Sequence, residues 1–94
     1  MLINLDDFSR MLKIERNYSE NTVSAYLSDL KSFNAFLEKN KISFKDVVVE
    51  TKHTKNFFRQ LSKRKLSPRS IKRKFSSLSS YFIFLLDRKV INSN

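Results

Sequence analysis

The sequence predicts an all-α fold, a single four-helix bundle, and three observations carry that prediction. Glycine is absent and proline occurs once in 94 residues, which removes most of the chemistry that turns and bulges require. Apolar residues recur at three- and four-residue steps, the spacing of one helix face. The breaks between these runs fall on side chains suited to opening a helix, Asn4, Ser19, Thr51 and Ser67. The length fits one domain, residues 1–94, and nine Phe with 40% apolar residues supply its core.

The first helix is expected to open at Asn4, with Asp7 three residues on and Ile3 stapled to Phe8. Leu5, Phe8, Met11 or Leu12, and Ile14 keep the helical period as far as Arg16. In the second, Ser19 caps, Tyr18 and Val23 form the staple, and Val23, Tyr26, Leu27, Leu30, Phe33 and Leu37 make one stripe ending near Lys39-Asn40. Between Lys41 and Glu50 lies a connection in which Ser43 can cap a single turn. The run Val47-Val48-Val49 leans towards β structure, but no second strand pattern pairs with it, so it reads as an extended link or the start of the next helix.

The third helix follows Thr51 and is anchored by Phe57, Phe58 and Leu61. The fourth carries the clearest signals: Ser67 caps, Pro68 takes the first helical position, and Leu66 with Ile71 completes the staple. Ile71, Phe75, Leu78, Phe82 and Leu85 form its expected core stripe, which fades near Arg88-Lys89. Internal repeats and low-complexity linkers are absent.

The formal net charge is +10, and its distribution gives it meaning. Residues 1–50 carry seven bases and eight acids, a net of −1, whereas residues 51–94 carry twelve bases against Asp87 alone, a net of +11. Such asymmetry points to a polyanionic partner, nucleic acid or an anionic surface. The chain has no cysteine, which excludes disulfides and thiolate-bound zinc and suits a reducing compartment. Met1–Asp7 lacks the basic and apolar regions of a signal peptide. The longest apolar run, Tyr81–Leu86, is too short to span a bilayer. A soluble, cytoplasmic protein is therefore expected.

The fourth helix breaks an electrostatic rule that the first two obey. Acids favour helix N-termini, as Asp6, Asp7 and Glu20 illustrate. Yet the fourth helix opens with Arg69, Lys72, Arg73 and Lys74, directly after Lys63-Arg64-Lys65. Seven bases without an acid around a partially positive helix end point to a bound anion: free amides at Ser67–Ser70 and the Ser67 and Ser70 hydroxyls would serve a phosphate. Arg69, Lys72, Arg73, Ser76 and Ser80 share the face opposite the expected core stripe, where small serines between long bases permit close approach to a groove. Ser24, Ala25, Ser28, Ser32 and Ala35 give the second helix a comparable small-residue face. A basic helix face is ordinarily just solvated; the concentration of charge at this N-terminus is what argues for more.

Nothing in the chain suggests catalysis. Without glycine no phosphate-cradling loop can form. His53 stands without a ligand or triad partner at useful spacing, so neither a metal nor a cofactor is expected. The carboxylates fall mostly in a half with no matching basic cleft, and Tyr18, Tyr26 and Tyr81 read as structural.

Two segments, taken together, resemble the N-terminal core-binding, or SAM-like, domain of the tyrosine site-specific recombinases, in the Xer-like and phage-integrase branch. One is Glu15-Arg16-Asn17-Tyr18-Ser19-Glu20-Asn21-Thr22 with Ala25-Tyr26, Asp29-Leu30, Phe33 and Phe36-Leu37. The other runs from Leu66-Ser67-Pro68-Arg69-Ser70-Ile71 through Lys72-Arg73-Lys74-Phe75 and Ser76-Ser77-Leu78 to Tyr81-Phe82 and Phe84-Leu85. The ending Ile91-Asn92-Ser93-Asn94 is similar to the exit towards a catalytic domain. The resemblance implies a helical bundle clamping one face of a recombination site, its second and fourth helices approaching the major groove.

The family's Arg, Lys, His, Arg and Tyr constellation finds no match, since His53 is followed by Asn56 where arginine would be needed; the catalytic domain is thus expected to be absent. The expected DNA-binding residues are Lys63, Arg64, Lys65, Ser67, Arg69, Ser70, Lys72, Arg73, Lys74 and Ser76, with Ser19, Asn21, Thr22, Ser24 and Ser28 from the second helix. The expected partners are double-stranded DNA and, in a full-length recombinase, neighbouring protomers on DNA, with the isolated domain monomeric. Two other readings compete. An RNA-binding module would need exposed aromatic platforms, whereas most aromatics fall on core stripes. Binding to an anionic membrane or protein surface would need apolar residues exposed beside the bases, for which Ile83 and Phe84 are the candidates.

Overall fold

Five helices carry the chain in the computed structural model, which describes residues 2–91: α1 (Leu5–Ile14), α2 (Glu20–Lys39), α3 (Phe44–Val49), α4 (Lys52–Lys63) and α5 (Pro68–Asp87). The fold is all-α, with five helices rather than the expected four. The additional one, α3, grows from the turn at Ser43, whose hydroxyl accepts the Asp46 N–H at 3.3 Å. The run Val47-Val48-Val49 is therefore helical and not an extended link. The weak helix propensity of valine is offset by burial, Val47 being 4% exposed.

Serine opens three of the five helices by one device. Ser19, Ser43 and Ser67 all hold extended backbone, and each side chain accepts the N–H three residues on. The other two expected caps fail. Asn4 sits in the left-handed region at φ 57° and makes no side-chain cap bond. The chain before it is tied to the bundle: Leu2 N–H donates to Asn34 Oδ1 (3.1 Å) and Ile3 N–H to Tyr81 Oη (2.9 Å), while Tyr81 O–H donates to the Ile3 carbonyl (2.6 Å). That tether sets the approach to α1, with Leu2 buried and Ile3 left 38% exposed. Thr51 is already helical, at φ −74° and ψ −15°, because α3 reaches α4 through a single extended residue, Glu50.

With no glycine available, asparagine and lysine make the turns that leave the helices. Asn17, Lys41, Lys65 and Lys89 all adopt positive φ, between 53° and 59°. After α2 the Lys41 N–H donates to the Glu38 carbonyl and the Ile42 N–H to Leu37. After α5 the Lys89 N–H donates to Leu86 and the Val90 N–H to Leu85. These paired bonds satisfy carbonyls that a helix end otherwise leaves open.

The helices α2 and α5 form the central pair, with α1 against α2 and α4 against α5. Phe8 and Leu12 from α1, Leu30, Phe33 and Leu37 from α2, and Tyr81 and Leu85 from α5 are all fully buried. Phe57 of α4 meets Phe33 edge-on at 5.0 Å, and Phe8 meets Tyr81 at 5.5 Å. Two expected core positions lie outside: Ile14 is 72% exposed and Phe75 60%. In α5 the buried face is rotated from the expected stripe, because Ser77 and Tyr81 turn inward in place of Phe75. The cause is a polar cluster between α2 and α5, described below. Phe75 rests instead beside Phe58, its ring 5.7 Å away.

Candidate nucleic-acid interface

The N-terminus of α5 is more self-satisfied than its sequence suggests. Ser67 Oγ accepts the Ser70 N–H at 3.2 Å and donates to Ser70 Oγ at 3.0 Å, and Pro68 has no N–H to offer. The amide and hydroxyls expected to greet an anion are thus partly engaged within the cap, which leaves the side chains as the main feature of this end. Lys63, Arg64, Lys65, Arg69 and Lys72 are exposed, and among the described residues none has an acid within ion-pair distance.

These cations do not share one groove. Arg69, Ser70, Lys72, Arg73 and Ser76 line a groove of about 420 Å³ together with Tyr26 of α2. Lys63 lies on another side, with Asn40, Asn56 and Arg59, while Arg64 faces Ser32, Ala35 and Lys39 across the α2–α4 boundary. The small-residue face of α2 is thereby divided. Ser24 and Ser28 are exposed, whereas Ser32 and Ala35 border α4. At the α2 start, Ser19, Asn21 and Thr22 are exposed, and the Ser19 and Thr22 hydroxyls are bonded at 3.0 Å.

Two of the seven clustered cations have a partner that the sequence did not disclose. Asp29 of α2 is 0% exposed, so it is the exception to the reading that the carboxylates lack a basic cleft. Its Oδ2 accepts from Arg73 Nε (3.0 Å) and Ser77 Oγ (2.7 Å), and its Oδ1 accepts from Arg73 Nη2 (2.8 Å) and Lys74 Nζ (3.1 Å). Burial pushes the Asp29 carboxyl up, yet the hydrogen bonds from Arg73, Ser77 and Lys74 outweigh it and hold the group below its ordinary value. The Lys74 side chain is 14% exposed and that of Arg73 46%, so only Arg73 also faces the groove.

Arg16 was missed as a member of this face. It follows α1, and its Nη1 donates to Ser80 Oγ at 3.2 Å, placing a further cation at the far end of the row Arg69, Lys72, Arg73, Ser76 and Ser80. Its place in the Glu15–Thr22 motif was the available signal. His53 is half-buried, and among the described residues no three His, Asp or Glu side chains gather where they could hold a metal. Among the same residues no helix is long and apolar enough to cross a membrane. Of the two residues that would favour surface binding, Ile83 is 49% exposed but Phe84 is buried at 4%.

Comparison with known proteins adds lineage to this geometry. Residues 5–89 match the family model described as phage integrase, N-terminal SAM-like domain. The chain is 40% identical over 96 residues to the tyrosine recombinase XerC of Anoxybacillus flavithermus, covering 96% of this chain and 30% of that protein. It is 41% identical over 88 residues to XerC of Lacticaseibacillus casei, covering 93% and 29%. It is 34% identical over 90 residues to XerD of Rickettsia bellii, covering 96% and 29%. The chain therefore spans less than a third of the length of these relatives. No solved structure matches it.

Proposed function

The chain belongs to the phage integrase N-terminal SAM-like family, and from that premise we propose that it binds duplex DNA as the clamp domain of a tyrosine recombinase. Residues 1–94 position such an enzyme on its recombination site, for integration or site-specific recombination. The chemistry would belong to the remaining two-thirds of a protein as long as these relatives. The observation that carries this reading is the pair of unbalanced cations on α5: Arg69 and Lys72 are exposed and, among the described residues, without an acid partner. The helix dipole disfavours bases at that end, and Arg69 and Lys72, unlike Arg73 and Lys74, hold no acid there in return, whereas phosphates would be bound by them.

In this reading the α5 face presents Arg69, Lys72, Arg73 and Ser76 to the groove, and the α2 start, Ser19 to Ser24 with Ser28, adds lighter contacts. Lys63, Arg64 and Lys65 raise the local potential, while Lys74 offsets the buried charge of Asp29. Arg16 joins the row at Ser80. The isolated domain is a monomer whose neighbours are other protomers on DNA in the whole protein. Against the RNA alternative, the aromatics are mostly buried in the core.

The test is an amide-shift titration with short duplex DNA at low salt, repeated with added salt and with an RNA hairpin. Shifts on residues 63–80 and at the α2 start that fade as salt rises are expected. Even or absent shifts with duplex DNA, or preference for the hairpin, refute the reading.

A further inference from the structure

Resting on that reading, we propose that Asp29 is a positioning residue for the DNA-facing surface. Its buried carboxylate holds the Arg73 guanidinium in a fixed orientation on the groove and joins α2 to α5, so that neutralising it weakens DNA binding although the domain becomes more basic.

A carboxylate fully removed from water is a poor choice if stability alone is wanted, because apolar side chains of similar volume do as well or better. What it does and a leucine cannot is orient cations. Arg73 meets Asp29 through Nε and Nη2, one to each carboxylate oxygen, at 3.0 and 2.8 Å. Two parallel bonds fix the plane of the guanidinium as well as its distance. Ser77 and Lys74 occupy the remaining acceptor positions, and among the described residues no buried side-chain polar atom lacks a partner.

The two cations divide the work. Lys74 is largely buried and balances the Asp29 charge from inside. Arg73, 46% exposed, therefore keeps a net positive charge at the surface. It lines the same groove as Arg69, Lys72 and Ser76 of α5 and Tyr26 of α2. A guanidinium held in place before binding loses little side-chain freedom on contact with a phosphate or a base edge. Because Asp29 stands on α2 and its three donors on α5, the same bonds also hold together the two helices that carry the proposed contacts.

The sign of one substitution separates this from an account based on total charge. Asp29→Asn is near-isosteric and removes one negative charge. If only net charge matters, the variant binds a fluorescent 25-base-pair duplex more tightly, with a log–log salt slope steeper by up to about 0.9. Positioning demands the opposite, a loss of roughly three- to tenfold with no steeper slope. Circular dichroism and thermal melting establish that the variant is folded.

Arg73→Lys serves should Asp29→Asn fail to fold: it keeps the charge and loses the fork, and a similar loss is expected. In the unaltered domain, NMR of the arginine Nε–H groups is expected to show Arg73 rigid before DNA is added; Arg73 as mobile as exposed Arg64 overturns the proposal. The double variant Arg69→Ala, Lys72→Ala keeps the two readings apart. If it leaves DNA binding unchanged, the proposed function fails. If it weakens binding while Asp29→Asn and Arg73→Lys bind as tightly as the parent, only the positioning role fails.

Discussion

The helices α2 and α5 are each 20 residues long and each opens at a serine whose side chain accepts the amide three residues on. Beyond that they diverge. The first turn of α2 carries Glu20 and its last turn Lys39, in keeping with the helix dipole. The first turn of α5 has no acid and its last turn no base, while Arg69, Lys72 and Arg73 crowd its positive end. The contrast separates what a helix needs in order to form, which both possess, from what is added at some cost to it, which only α5 carries. Asp29 is where the two meet: α2 supplies the buried charge that α5 supplies the cations to hold.

Removing that joint is expected to have the largest effect. Asp29→Ala leaves Lys74 buried and unpaired and should destabilise the domain by about 3 kcal/mol, towards the lower end for a broken buried pair because Arg73 can turn to water. Denaturant unfolding at neutral pH measures it. The pH dependence has a definite sign. The Asp29 carboxyl lies below its ordinary value of 3.8 when folded, so its contribution is full above about that pH and is lost as pH falls through the lower folded value. The alanine variant should show a smaller loss of stability in acid than the parent.

Next in size is the pair of bonds by which α5 holds the N-terminal segment, beside the α2 contact from Asn34. Tyr81→Phe should cost about 1–2 kcal/mol by leaving the Ile3 N–H and carbonyl without their partner. Burial pushes the Tyr81 hydroxyl up to about 12, against the smaller opposing effect of its bond to Ile3. The domain should therefore lose stability in alkali as pH rises from 10 through about 12, and Tyr81→Phe should remove part of that loss.

The shared part of the comparison is tested by Ser19→Ala and Ser67→Ala, each expected to lower stability by about 1 kcal/mol. Markedly unequal losses would mean that the two caps are not equivalent. The unshared part is tested by Arg69→Glu. It should raise stability by roughly 0.3–1 kcal/mol, by restoring an acid to the α5 N-terminus, while sharply weakening duplex binding. A variant that lost stability would deny that the α5 charge pattern is costly to the fold.

Much of this was legible in the sequence because it depends on local rules. The serine caps at Ser19 and Ser67, the proline at the first turn of α5 and the α2 stripe all follow from spacing, and the structure places them as expected. The charge on α5 was equally open to reading. The departures share one cause, which is tertiary contact. Asn4 failed as a cap because Tyr81, far along the chain, fixes the residue before it. Phe75 failed as a core residue because a polar cluster turned its helix. A carboxylate at position 29 looks like any other acid on a helix until a second helix brings Arg73, Lys74 and Ser77 to it. For the same reason Arg73 and Lys74 could be recognised as basic but not as already engaged. Val47–Val49 misled through propensity, which the nearby Ser43 cap and the burial of Val47 overruled.

The lysine turns that close α2 and α5 bear on how the molecule breathes. Helix ends ordinarily fray, and their amide protons are among the first to exchange with solvent. Here the Ile42 and Val90 amides, already past the last helical residues, are bonded back to Leu37 at 2.8 Å and to Leu85 at 2.9 Å, and both acceptor residues are fully buried. Opening either corner means disturbing the core beneath it. In deuterium exchange these two amides are expected to stay protected alongside the interior of α2 and α5, so that the corners of a chain without glycine open together with its centre.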